Sequence, residues 1–148
     1  MELFILEKLL TGILLMLLTV MTLMDLRQRW IDNRFIVMGI LSVMMVRIFY
    51  REEPWWDYLM TGLLVFAVLE TIVEITDERS LGGGDSKIFA MIGFAVGWKK
   101  FVFIFFLSHL LALIFLLILK CILPKSVTWH SEFPFVPFIL CSFIFVIF

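Results

Sequence analysis

A chain of 148 residues that is 63% hydrophobic is far more apolar than a soluble domain, which averages about 45–50%. Its net charge of −1, without any basic cluster, argues against a nucleic-acid partner. The two cysteines, Cys121 and Cys141, make neither a C-x-x-C pair nor a zinc-ligand spacing and are read as packing residues.

The apolar residues fall into blocks separated by short charged stretches. Helices crossing a bilayer have that pattern, because lipid offers an open backbone no hydrogen bonds. In chain order the blocks are Leu3–Met24, Phe35–Phe49, Tyr58–Ile75, Ser86–Trp98, Phe101–Leu119 and Phe133–Phe148. The first starts with Glu2 and Glu7 and has no small-residue cleavage site, so it reads as a permanent helix rather than a removed signal peptide. The fourth is short for a span, which takes about 20 residues, and is expected either to thin the bilayer or to begin in a water-filled cavity. The expected fold is all-α: one domain, residues 1–148, forming a polytopic bundle of about six transmembrane helices.

Lysine and arginine in short loops set orientation. With the connection Asp25–Arg34 in the cytoplasm, that side holds Arg27, Arg29, Arg34, Arg79, Lys87, Lys120 and Lys125. The other side holds Lys8, Arg47, Arg51, Lys99 and Lys100. Both termini then lie outside. Trp55, Trp56 and Trp98 would join an outer aromatic belt, and Trp30 would lie near the inner face.

Ionisable groups at membrane depth are costly and therefore candidates for function. Asp25 closes the first block, where the bland alternative is an interfacial residue paired with Arg27 or Arg29. Gly82-Gly83-Gly84-Asp85-Ser86-Lys87 puts an acid at the mouth of the fourth block after three glycines. Glycine lets another chain approach closely, so an extended substrate strand is expected beside this backbone. The bland alternative is a flexible turn with Asp85 as an N-cap. In this topology both aspartates lie on the cytoplasmic face. Two aspartates sharing a proton can activate water for attack on an amide, one as base and the other as acid. Glu70 and Glu74 share a helix face. They are read as a polar contact within the bundle or as a proton relay, with His109 as a possible partner. Asp32-Asn33-Arg34 reads as loop and helix start, with Asp32 a rival for either half of the pair.

Together these residues resemble the type IV prepilin peptidases and the related preflagellin peptidases. That family carries an aspartate at the end of an early helix, followed by a D-x-R-x-x-x-I-P-N-like stretch. Here the stretch is Asp25-Leu26-Arg27-Gln28-Arg29-Trp30-Ile31-Asp32-Asn33. The second family aspartate lies in G-x-G-D, followed by a basic residue and G-x-x-x-G-W. Here Gly82–Asp85 is followed by Lys87, Gly93, Gly97 and Trp98, and Pro134–Phe138 is similar to the last family helix. Presenilin-like and signal-peptide peptidases also use G-x-G-D but lack the stretch after Asp25.

The resemblance implies an aspartic endopeptidase that removes short basic leaders from prepilin-like, pseudopilin-like or preflagellin-like proteins in a prokaryotic cytoplasmic membrane. It makes Asp25 and Asp85 the catalytic pair, with Gly82, Gly83, Gly84, Lys87 and Asn33 as substrate-binding residues. It also implies six helices and no cofactor or metal. The two C-x-x-C pairs of members that N-methylate the new terminus are missing here, so a peptidase-only form is expected. Asp32 stands where the family has proline. The substrate's apolar helix is expected to lie against the bundle, with its basic leader near Asp32, Glu74, Asp77 and Glu78. Two other readings compete: a proton-coupled transporter or channel subunit using Glu70, Glu74 and His109, and a non-enzymatic pilus or secretion assembly factor.

Overall fold

The computed structural model describes residues 2–28, 31–50, 52–77, 82–122 and 133–148. Leucine, isoleucine and phenylalanine dominate these segments, and among the described residues every regular element is a helix. The elements are α1 (Glu2–Gln28), α2 (Asn33–Phe49), α3 (Trp55–Thr76), α4 (Gly83–Ile122) and α5 (Val136–Ile147). Helix α4 packs against α2, α3 and α5, and α1 packs against α2 and α5. Among the described residues, three helical segments are long and apolar enough to cross a membrane: Ile5–Gln28, Trp55–Thr76 and Gly83–Ile122. Their outward faces carry apolar residues such as Met16, Leu63, Phe103 and Phe106. A surface of that kind suits lipid rather than water.

The fourth and fifth expected blocks appear as one helix, α4, but it is not straight. Gly97 has φ 73° and ψ 177°, outside helical geometry. A straight helix would hold residues 89 and 105 about 24 Å apart, yet the rings of Phe89 and Phe105 lie 5.1 Å apart. Phe89 also meets Phe101 at 6.2 Å and His109 at 5.8 Å. The chain therefore reverses at Gly97, and the two halves of α4 run antiparallel.

A helix break of this kind leaves carbonyls without partners on one side and N–H groups without partners on the other. Two residues from other helices cover them. The Arg47 guanidinium donates from Nε to the Ala95 carbonyl at 2.8 Å, and Nη2 donates to the same oxygen. It also lies 4.3 Å above the Tyr58 ring. Asp57 accepts from the Trp98 N–H at 3.0 Å. A cation thus sits at the C-terminal end of one half-helix and a carboxylate at the N-terminal end of the next, the signs that each helix dipole favours. Arg47→Met is expected to cost about 1–3 kcal/mol, because the buried Ala95 carbonyl loses its charged donor. Thermal unfolding in detergent micelles measures this.

The first half of α4 is the centre of the bundle. Ile88, Phe89, Met91, Ile92 and Ala95 are all fully buried. The short fourth block is thus an interior helix wrapped by its neighbours. Its approach to α3 is close: a Cβ on Gly93 would stand 3.3 Å from the Gly62 Cα.

The alternating direction of the helices sorts polar residues to two ends. At one end, Glu7 accepts from the Tyr50 hydroxyl at 3.1 Å, and Lys99 and Lys100 pair with Glu53 and Glu52. Trp55, Trp56 and Trp98 are exposed there, the clustering expected of an aromatic belt. Trp30 lies outside the described residues. The opposite end gathers the end of α1, the starts of α2, α4 and α5, and the end of α3.

Candidate active site

The inward stripe of α1 runs Leu10, Leu14, Leu18 and Met21, at steps of three and four residues, and its next member is Asp25. The spacing that packs the helix therefore turns this carboxylate into the bundle, where Asp25 is only 8% exposed. It faces the first turn of α5: the Val136 N–H donates to Asp25 Oδ2 at 3.1 Å. The opening N–H groups of a helix lack partners within it and carry the positive end of its dipole, so the start of α5 is a suitable seat for a carboxylate.

Asp85 lies in the first turn of α4 and is half-buried. Its N–H donates to the Gly82 carbonyl at 3.0 Å, as does the Ser86 N–H at 3.2 Å. A Cβ on Gly82 would lie 3.2 Å from Asp85 Oδ2, so the carboxyl rests against Gly82. Asp25 is close enough to act on Asp85 electrostatically. Two acids 60 positions apart in the sequence thus share one end of the bundle.

The glycine run is not a loose turn throughout. Gly83 and Gly84 already belong to α4, and a Cβ on Gly84 would meet Ile31 Cδ1 at 3.0 Å. Ile31 therefore packs directly on the first turn that carries Asp85. Lys87 Nζ reaches Asn33 Oδ1 at 3.4 Å, which ties the starts of α2 and α4 loosely together. Asp32 caps α2, accepting from the Arg34 N–H at 3.0 Å. The structure thus uses Asp32 to start a helix.

Glu70 and His109 have different partners from the pairing considered from sequence. Glu70 accepts from the Ser86 hydroxyl at 2.6 Å. The His109 ring lies among Phe89, Phe105 and Phe135, with Nδ1 2.8 Å from the Phe105 carbonyl. Glu74 is exposed. Among the described residues, no group of three His, Cys, Asp or Glu side chains is placed to hold a metal ion.

Sequence reasoning missed Ser86 and Val136. Ser86 was visible only as a neighbour of Asp85, whereas Val136 takes part through its backbone, which no residue type announces. What the site offers chemically is a buried carboxylate fixed by a helix end and a second, more open carboxylate beside it. Such a pair can hold one proton between them, so that the ionised member accepts a proton from a water while the protonated member donates to a carbonyl.

The chain matches the sequence model of the Type IV leader peptidase family over residues 12–117. It is 28% identical over 121 residues to the prepilin leader peptidase/N-methyltransferase of Bacillus subtilis (strain 168). That match covers 82% of this chain and 48% of the relative, so the chain spans about half of the relative's length. No solved structure matches it. Both aspartates, the glycine run and Lys87 fall inside the family match, and the chain belongs to the type IV leader peptidase family.

Proposed function

We propose that the protein is an intramembrane aspartic endopeptidase that removes short basic leaders from prepilin-like proteins, with Asp25 and Asp85 as its catalytic pair. The observation that carries this reading is the meeting of these two carboxylates at one end of an apolar bundle. One carboxylate takes a proton from water as the oxygen attacks the scissile carbonyl carbon. The other gives its proton to the carbonyl oxygen, forming a tetrahedral gem-diol. Collapse breaks the C–N bond, and the leaving amine receives a proton from the pair. Gly82–Gly84, Lys87 and Asn33 form the rim where the substrate backbone would lie.

The reading extends to topology. Six helical stretches, with α4 counted as two about Gly97, cross the cytoplasmic membrane of a prokaryote, and the aspartates lie at its cytoplasmic face. Arg27 in the last turn of α1 and Arg34 in the first turn of α2 support that orientation. The pair accounts for the peptidase part of the relative's name. A transporter reading needs Glu70, Glu74 and His109 to line one polar path, and the partners of Glu70 and His109 point elsewhere.

The reading is tested by incubating the purified protein in micelles with a synthetic prepilin-like peptide that has a basic leader and an apolar helix. Mass analysis should find a single cut between the two parts. An intact peptide across a panel of such leaders would contradict the reading. Leader recognition adds a second expectation. Exposed acids at this end include Glu74 and Asp77, whereas Glu78 lies outside the described residues. Glu74→Lys combined with Asp77→Asn should raise KM for a basic leader about 5-fold and leave kcat unchanged, since exposed ion pairs contribute roughly 0.2–1 kcal/mol each. An unchanged KM would remove these acids from leader binding.

A further inference from the structure

We propose that Glu70 is a positioning residue of the hydrolytic site, holding Asp85 in place through the hydroxyl of Ser86. The inference rests on Asp85 being catalytic. Glu70 follows Leu69 on the inward side of α3 and is half-buried within a candidate membrane span. A carboxylate at such depth is expensive and normally has a task. Among the described residues its partner is neutral: the fully buried Ser86, whose hydroxyl is 2.6 Å away. That length is typical of a hydroxyl donating to a charged oxygen.

The need for such a strut follows from where Asp85 sits. Its turn is the first of α4 and is built on Gly82, Gly83 and Gly84. Glycine carries the largest backbone entropy of any residue, and a helix end has few hydrogen bonds to resist fraying. The Gly82 carbonyl bonds to the N–H groups of Asp85 and Ser86 only within the turn itself. The Ser86–Glu70 bond fastens the turn to α3, a regular helix of 22 residues. Misplacing a catalytic group by about 1 Å can cost about 100-fold in rate.

The geometry also separates positioning from folding. The Ser86 hydroxyl has one hydrogen and two acceptors in reach, Glu70 Oε2 and the Gly83 carbonyl at 2.9 Å. Without Glu70 it turns to Gly83, inside its own helix. Ser86 stays satisfied and the bundle stays folded, but the first turn is no longer tied to α3.

The test measures kcat and KM for leader cleavage by wild type, Glu70→Ala, Glu70→Gln, Ser86→Ala, the Glu70→Ala/Ser86→Ala double variant and Asp85→Asn, with thermal unfolding recorded for each. Glu70→Ala and Ser86→Ala should each lower kcat about 10- to 100-fold, with KM changed less than about 3-fold. The double variant should match either single one, because both break the same link. Glu70→Gln, whose amide oxygen accepts the same hydroxyl, should recover to within about 5-fold of wild type. Full activity in Ser86→Ala overturns the proposal. So does a Glu70→Gln variant as slow as Glu70→Ala, since the charge of Glu70 would then be what matters. Full cleavage by Asp85→Asn overturns the catalytic assignment as well, whereas loss in Asp85→Asn beside a fully active Ser86→Ala overturns only the positioning role.

Discussion

Asp25→Asn and Asp85→Asn are each expected to lower kcat for leader cleavage by at least about 10³-fold, since a positioned acid or base contributes roughly 10²–10⁴ and each member of a shared pair serves both ends of the reaction. Asparagine keeps the shape of aspartate and one oxygen that accepts a hydrogen bond. At position 25 that oxygen still receives the Val136 N–H, so α1 and α5 stay docked. What is lost is the charge and the ability to carry a proton. The membrane abundance and thermal unfolding of the variants should therefore follow wild type. Wild-type kcat/KM should trace a bell against pH, because activity requires one proton on the pair and fails with none or two. The two limbs belong to the pair rather than to either residue.

The largest effect on folding should come from a residue outside this chemistry. Gly97→Ala is expected to destabilise the bundle by about 3 kcal/mol or more. Its φ of 73° with ψ 177° lies in a region reserved for glycine, where another residue costs of order 1–3 kcal/mol. The added Cβ would also stand 2.5 Å from Asp57 Oδ2, the oxygen that accepts from the Trp98 N–H. One methyl group thus strains the reversal and pushes away the cap of the second half-helix. Gly12→Ala is the control: it is helical, and a Cβ there meets nothing within 4 Å. That change should be neutral or slightly stabilising. Thermal unfolding in micelles distinguishes the two, and equal midpoints for Gly97→Ala and wild type would contradict the geometry of the turn.

The helices were legible because the bilayer demands long apolar runs, and the second and third blocks lie within two to three residues of α2 and α3. The reversal at Gly97 was half-visible. The charged break after Trp98 divided two blocks, but nothing local indicated that Phe89 and Phe105 would stack across it. Both aspartates stood out because a charge next to an apolar run is conspicuous. The burial of Asp25 was also written in the steps from Leu10 to Met21, had the stripe been extended one more turn. What stayed hidden depends on contacts between distant segments. The choice of Ser86 over His109 as partner of Glu70 depends on how α3 meets α4, and the seat of Asp25 depends on the backbone of α5.

The claim that Asp25 and Asp85 act as one unit is tested most directly by a double-mutant cycle. Cleavage of one prepilin-like substrate is measured with wild type, Asp25→Asn, Asp85→Asn and the double variant at equal membrane abundance. Wild type should cleave, and the double variant should be no slower, within a few-fold, than either single variant, since a pair that has lost one member has little more to lose. Losses that multiply, or full cleavage by either single variant, would contradict the claim.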